Sequence, residues 1–232
     1  MHRAIIFAAA IWTAMSGALA ADDRPVVVEL FTSQGCSSCP PADALLAELA
    51  GVEDVIPLAY HVDYWDYIGW KDVFARPENT HRQKAYARAG NWRIYTPQMV
   101  IGGRDDVVGS RSMKVADLIR RHADLPAVVD LDISRSGDRL TIRARPIDPA
   151  GVAPSDVMLV RYAEGKTVPI ATGENAGRNL SYTHIVTEWS NAGTWDGRTP
   201  FEAVLPLTGG DAVVVLLQER RYGPILAAAR LR

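Results

Sequence analysis

From residue 26 onward the apolar positions change their period several times, and each change marks an element. Val26-Val27-Val28-Glu29-Leu30-Phe31 is a β-branched, almost continuous apolar run, as a buried strand requires. The polar loop Thr32-Ser33-Gln34-Gly35 then leads to Cys36. Pro40 and Pro41 suit the first turn of a helix, where a missing N–H costs little. Leu45, Leu46 and Leu49 recur at helical spacing until Gly51 stops the pattern. Residues 55–62 read as a second strand, so the opening is a βαβ unit, whose strands run parallel and cross over right-handedly. An aromatic loop covers 63–74, and Pro77 begins a second helix through Gln83 and Tyr86 to Gly90. After Thr96-Pro97, two short strands at about 98–101 and 106–108 hinge on Gly102-Gly103. Ser112 can cap a last helix with Val115, Leu118 and Ile119 on one face. The predicted order is βαβαββα.

Beyond Leu125-Pro126 the pattern changes. Runs at 128–133, 140–144, 157–161, 182–186, 203–207 and 213–217 are short and mostly alternating, with Gly, Pro, Asn and Asp clusters between them. Strands without intervening helices predict a mainly antiparallel β domain, a sandwich or small barrel. The expected division is therefore an α/β domain at 21–125 and an all-β domain at 126–232. Ahead of both, His2 and Arg3 precede an apolar stretch at 4–15, and Ala18-Leu19-Ala20 supplies the small residues of a cleavage site. Residues 1–20 read as a signal peptide, the apolar run being shorter than the roughly 20 residues a membrane-spanning helix needs. An exported protein is expected, periplasmic or secreted, with no stable membrane insertion after cleavage. Composition adds little beyond a globular core: 48% of the 232 residues are hydrophobic. A net charge of −2 argues against nucleic acid as a partner.

The chemistry rests on Cys36 and Cys39, the only cysteines of the chain. Three readings compete. A structural zinc site needs two further ligands, for which His61 and Asp63 are the nearest candidates. A purely structural disulfide would close a very short loop and restrain the unfolded chain little. The third reading is redox chemistry. A cysteine at the start of a helix meets unpaired N–H groups and the positive end of the helix dipole, which stabilise a thiolate. Cys36, reached first and bordered by Gly35, is the expected nucleophile, more exposed and more acidic than Cys39. Cys39 can then resolve a mixed disulfide. A Cys-x-x-Cys between a strand and a helix of a βαβ unit is a strong signal for this chemistry.

Because both strands of a βαβ unit end on one side, His61, Asp63, Tyr64 and Trp65 are expected near the cysteines as candidate substrate-binding residues. The alternative is a packed aromatic loop with a satisfied histidine. Trp189 and Trp195 are expected in the core of the β domain. Asn175 and Arg178, in a Gly-bounded loop, read as part of a turn rather than as a ligand site.

Residues 25–122 resemble the thioredoxin superfamily in element order, in the placement of the cysteines and in Thr96-Pro97 before the third strand. The resemblance implies a cis Thr96-Pro97 bond, with Pro97 against the disulfide and Thr96 beside the substrate. More narrowly, residues 29–43, the phrase His61-Val62-Asp63-Tyr64-Trp65-Asp66 and the loop 173–178 are similar to an uncharacterised bacterial family. That family comprises exported thioredoxin-like proteins grouped as domain of unknown function 1223, and it brings no assigned substrate. Glu29 stands near the position of the superfamily's buried acid, though one residue further from the first cysteine. Two roles are open for it: a proton shuttle for Cys39, or a charge at a strand edge. Gly35 replaces a common Trp, and Ser37-Ser38 replaces the Gly-Pro of reducing thioredoxins, so the direction of electron flow stays open.

The expectation that follows is an exported thiol–disulfide oxidoreductase acting on protein thiols or disulfides together with a redox partner. Cys36, Cys39, Glu29 and Pro97 would carry the reaction, without organic cofactor or metal. The alternatives are a non-enzymatic binding module with a structural disulfide and, third, a metal-delivery protein.

Overall fold

A computed structural model of the protein describes residues 24–231; the expected signal peptide at 1–20 lies outside the described residues. The elements in chain order are β1 (Val26–Thr32), α1 (Pro40–Leu49), β2 (Val55–His61), α2 (Pro77–Gly90), β3 (Gln98–Ile101), β4 (Asp105–Val108) and α3 (Ser112–Ala123). Then follow β5 (Val129–Ser136), β6 (Arg139–Pro146), β7 (Ser155–Pro169), β8 (Asn179–Trp195), β9 (Phe201–Pro206), β10 (Ala212–Glu219) and β11 (Ile225–Leu231).

All seven residues of β1 are buried, because the strand lies inside the sheet with helices on both faces. Its side chains alternate between two cores. Val26, Val28 and Leu30 pack with Ala42 and Leu46 of α1 and with Val115 and Leu118 of α3. Val27 and Phe31 pack on the other face with Tyr60 and with Tyr86 of α2. In the sheet β1 pairs parallel with β2, from Val26 opposite Val55 to Thr32 opposite His61, and antiparallel with β3.

The fold is mixed α/β, with a large, mainly antiparallel sheet of eight strands and a second sheet of three. The large sheet has the order β11-β10-β7-β8-β2-β1-β3-β4, and the small one β5-β6-β9. The change of pattern at residue 126 falls between α3 and β5, yet the large sheet does not divide there. β8 runs parallel beside β2, with Ile185 opposite Ala59, and brings β7, β10 and β11 into the same sheet. The expected self-contained sandwich or barrel is corrected accordingly. Only β5, β6 and β9 form a sheet of their own, and Leu140 and Ile142 pack it onto Val213, Val215 and Leu217 of β10. The physical reason is the outer edge of β2: a wholly buried strand needs a hydrogen-bonding neighbour there, and β8 supplies it.

β7 and β8 are 15 and 17 residues long, far beyond the apolar centres the sequence marked. The outer half of β7 is exposed and polar, as at Glu164, Gly165, Lys166 and Thr167, so it carries no apolar period. β11 went unpredicted because Ile-Leu-Ala-Ala-Ala-Arg-Leu is poor in β-branched residues. No helix among the described residues is long and apolar enough to cross a membrane.

Candidate functional site

Cys36 and Cys39 are joined by a disulfide, with Cα atoms 5.4 Å apart. Cys39 is the N-cap of α1, and its N–H donates back to the Cys36 carbonyl at 3.2 Å. The sulfur pair thus sits between the end of β1 and the positive end of a helix. Ser37 and Ser38 are exposed, whereas Cys36 is only 3% exposed and Cys39 not at all. Both cysteines are buried, so the Gly35 loop does not leave Cys36 open as expected. Gly35 packs so closely that a Cβ there would lie 3.3 Å from the Trp65 carbonyl oxygen and 3.4 Å from Ile68, which accounts for glycine where a larger residue would clash.

The turn before Cys36 is gripped from three sides. The Gln34 N–H donates to Asp72 Oδ2 at 2.8 Å. Gln34 Oε1 accepts from Trp70 Nε1 at 2.8 Å and from the Val73 N–H at 3.3 Å. The third grip comes from the tip of the β7–β8 hairpin. Asn175 Nδ2 donates to the Gln34 carbonyl at 2.9 Å and to the Cys36 carbonyl at 3.1 Å, while its Oδ1 accepts from Arg178 at 2.8 Å. The turn expected at 173–178 is present, and with Asn175 only 1% exposed it also plugs the cysteine loop. The signal in the chain was an Asn and an Arg bracketed by Gly173 and Gly177; nothing local says what they touch.

His61, Asp72 and the aromatic rings form the floor beside this turn. His61 Nδ1 lies 2.7 Å from Asp72 Oδ2, with both side chains fully buried. Its ring meets Phe74 and Tyr182 edge-on, and its Nε2 has no hydrogen-bond partner. Asp63 does not join the cysteines: its carboxylate accepts from Thr80 Oγ1 at 2.6 Å, in the first turn of α2. Tyr64 is half-buried, and burial pushes its hydroxyl up to about 12. Trp65 Nε1 donates to Thr96 Oγ1 at 2.7 Å, and the Thr96 carbonyl accepts from Ser38 Oγ at 3.5 Å. The Thr96-Pro97 bond is cis, and Pro97 is buried. Trp65, Thr96 and Ser38 therefore meet at the disulfide, with the exposed ring of Tyr67 stacked on Trp65.

Two buried acids flank β1, and only one of them stands on the cysteines' side of the sheet. Glu29 lies on the α2 face of β1, between Val27 and Phe31 in the alternation, and so across the sheet from α1. There Arg82 Nε approaches it at 2.7 Å and Tyr86 donates to its other oxygen. Burial opposes the Arg82 charge, but Glu29 and the surrounding tyrosines outweigh it and hold its pKa well above the usual arginine value. Glu29 is neither a strand-edge charge nor on the cysteines' side of the sheet. Asp43 is on that side, one helical turn beyond Cys39 in α1. It accepts from Thr32 Oγ1 at 2.8 Å. Burial raises its pKa to about 7, with the Asp72 charge adding and His61 and Thr32 opposing. Asp43, the last residue of the 29–43 phrase, was given no role from the sequence; its spacing of four from Cys39 is the available signal. Among the described residues no group of three or more His, Cys, Asp and Glu is placed to hold a metal ion. His61 and Asp63 are engaged with Asp72 and Thr80 instead.

A disulfide set between a central strand and a helix, in a mixed α/β sheet extended by a long hairpin, defines the class of protein. The chain belongs to the family described as Protein of unknown function (DUF1223), whose model matches residues 27–218. It is similar to a protein from Agrobacterium tumefaciens solved by X-ray crystallography, at 35% identity and a TM-score of 0.76. That match covers 89% of this chain and 93% of the other. HBP35 of Porphyromonas gingivalis shares the fold at 15% identity and a TM-score of 0.64, over 90% of this chain and 74% of that one. No curated protein matches the chain at a significant level.

Proposed function

We propose that the protein is an exported thiol–disulfide oxidoreductase of thioredoxin-like fold, acting on protein thiols or disulfides in the periplasm or outside the cell. The observation that carries this reading is the Cys36–Cys39 disulfide at the N-terminus of α1, flanked by Ser38, Thr96 and Trp65. In the oxidising direction a substrate thiolate attacks Cys36 Sγ. The bond to Cys39 breaks and its electron pair leaves on Cys39, giving a mixed disulfide. A second substrate thiolate then attacks the substrate sulfur and releases Cys36. The substrate has become a disulfide, the protein a dithiol, and the two protons lost by the substrate balance those the cysteines can take up. The reverse sequence reduces a substrate disulfide. Asp43, rather than Glu29, is the acid on the cysteines' side of the sheet and exchanges a proton with Cys39 in this scheme. Thr96 and Pro97 would present an extended substrate segment to Cys36, beside the Trp65–Tyr67 stack.

The burial of both cysteines favours a second reading, a binding module in which the disulfide staples a loop. Trapping separates the two. Cys39→Ala leaves an attacking thiol with nothing to resolve its product, so mixed disulfides with partner proteins should accumulate in the exported compartment. Cys36→Ala should trap far less. Mass spectrometry after acid quenching reads the result: equal trapping by both variants removes the role assignment, and no trapping by either selects the binding module.

A further inference from the structure

We infer that Asn175, held by Arg178, is a positioning residue for Cys36, so that the tip of the β7–β8 hairpin is a working part of the redox site. The inference rests on the reading above only in taking the cysteines to cycle between disulfide and dithiol.

The primary amide of Asn175 has two N–H donors and one carbonyl, and the site uses both ends. Its nitrogen serves the two carbonyls of the cysteine turn, and its oxygen takes the Arg178 guanidinium. The Cys36 carbonyl thereby has two donors, Asn175 Nδ2 and the Cys39 N–H, which leaves the Cys36–Ser37 peptide no freedom to turn over. The loop that carries Asn175 is closed by its own bonds: Ile170 N–H to the Arg178 carbonyl at 2.9 Å, Gly177 N–H to the Ile170 carbonyl at 2.8 Å. Gly173, at φ +79°, sits against Trp70 with room for no side chain; a Cβ there would lie 3.1 Å from the Trp70 Cβ. The plug is thus built independently of the cysteines and offered to them ready-made.

Its charge matters as well as its shape. The ionisable groups around the cysteine turn include Asp43 of α1, Asp72 of the aromatic loop with Asp66 behind it, His61 of β2, Tyr182 of β8 and Arg178. The carboxylic acids among them oppose a thiolate. The amide hydrogens of Asn175, polarised by Arg178 at the other end of the group, bring positive potential to the Cys36 side. An aspartate at 175 would keep the shape and reverse the effect, placing one carboxylate oxygen against two carbonyl oxygens while the other stays on Arg178.

The test uses the full-length protein in a Cys39→Ser background, so that Cys36 alone is read. The thiolate pKa of Cys36 is taken from ultraviolet absorbance against pH and from its alkylation rate. Asn175→Ala should slow alkylation at neutral pH by about three- to tenfold, which corresponds to a pKa rise of up to about one unit. Asn175→Asp should slow it more, and Arg178→Ala less. Arg178→Lys should restore most of the wild-type rate, a rescue that loss of packing would not produce. Arg143→Ala, on the distant small sheet, should change nothing. With Cys39 intact, the same variants should shift the equilibrium with glutathione toward the disulfide in the same rank order. Unchanged Cys36 acidity in Asn175→Ala overturns the inference, whether or not the protein proves to exchange disulfides with substrates. Should Asn175→Ala not fold, Arg178→Ala on the exposed end of the relay decides: an unchanged rate there overturns the inference equally.

Discussion

Two carboxylates are buried on opposite faces of the central strand region, and they are held in opposite ways. Glu29, facing α2, is fully paired: Arg82 and Tyr86 each reach one of its oxygens, and Gln218 of β10 bonds to both partners. Four aromatic rings, those of Tyr60, Tyr86, Trp189 and Tyr222, surround the Arg82 guanidinium. Asp43, facing β1 from α1, accepts from the neutral hydroxyl of Thr32; burial raises its pKa most, nearby His61 lowers it, and Asp72 adds repulsion. Burial alone therefore does not decide how an acid is held. Glu29 has a matched cation and a hydroxyl in direct contact, while burial raises the pKa of Asp43, given a hydroxyl, to about 7. In the proposed exchange, Asp43 stands on the cysteines' side.

The largest effect should come from unlocking the first acid. Arg82→Met leaves the Glu29 charge uncompensated inside the sheet, and urea unfolding should show a loss of about 3–5 kcal/mol. Adding Glu29→Gln to that variant should recover part of the loss, since no charge is then stranded. A single variant that loses under about 1 kcal/mol would erase the contrast between the faces.

A smaller change of opposite sign is expected at Asp43. Its folded pKa of about 7 lies above the ordinary aspartate value of 3.8, so its favourable contribution is fully present below about pH 4. That contribution falls as pH rises through 7, because the folded protein must then give up a proton it holds tightly. Asp43→Asn removes the titration. The variant should be more stable than wild type at pH 8, on the order of 2 kcal/mol, with the gain absent at pH 3.5. A pH-independent difference between the two proteins would mean that Asp43 does not titrate in this range.

The smallest effect concerns Thr32. Replacing it by Val deletes the Thr32 hydrogen bond to the Asp43 carboxyl, costing about 1 kcal/mol above pH 7 and raising the Asp43 pKa further. Carbon-detected NMR titration of the Asp43 carboxyl reads the shift directly. A pKa that drops instead would assign the hold on this carboxylate to His61.

What the sequence by itself determined is what short-range chemistry encodes. The period of the apolar residues marked β1, α1, β2 and α3, Pro77 and Gly90 bounded α2, and the two prolines after Cys39 opened the helix, while the cis Thr96-Pro97 bond was expected from the superfamily resemblance. Which face Glu29 takes was not legible, because alternation says that Glu29 and Leu30 point apart but not which of them meets α1. Only the packed sheet decided that, and with it the exchange of roles between Glu29 and Asp43. The same holds for β8 docking beside β2, and for Asn175 reaching the Gln34 carbonyl across a separation of 141 residues. Such pairs meet through the closure of a long stretch of chain, whose cost varies slowly with length and leaves no mark on local composition. The cysteines could be found from their neighbours in sequence. The groups that hold and tune them come from elements whose arrival depends on the whole sheet.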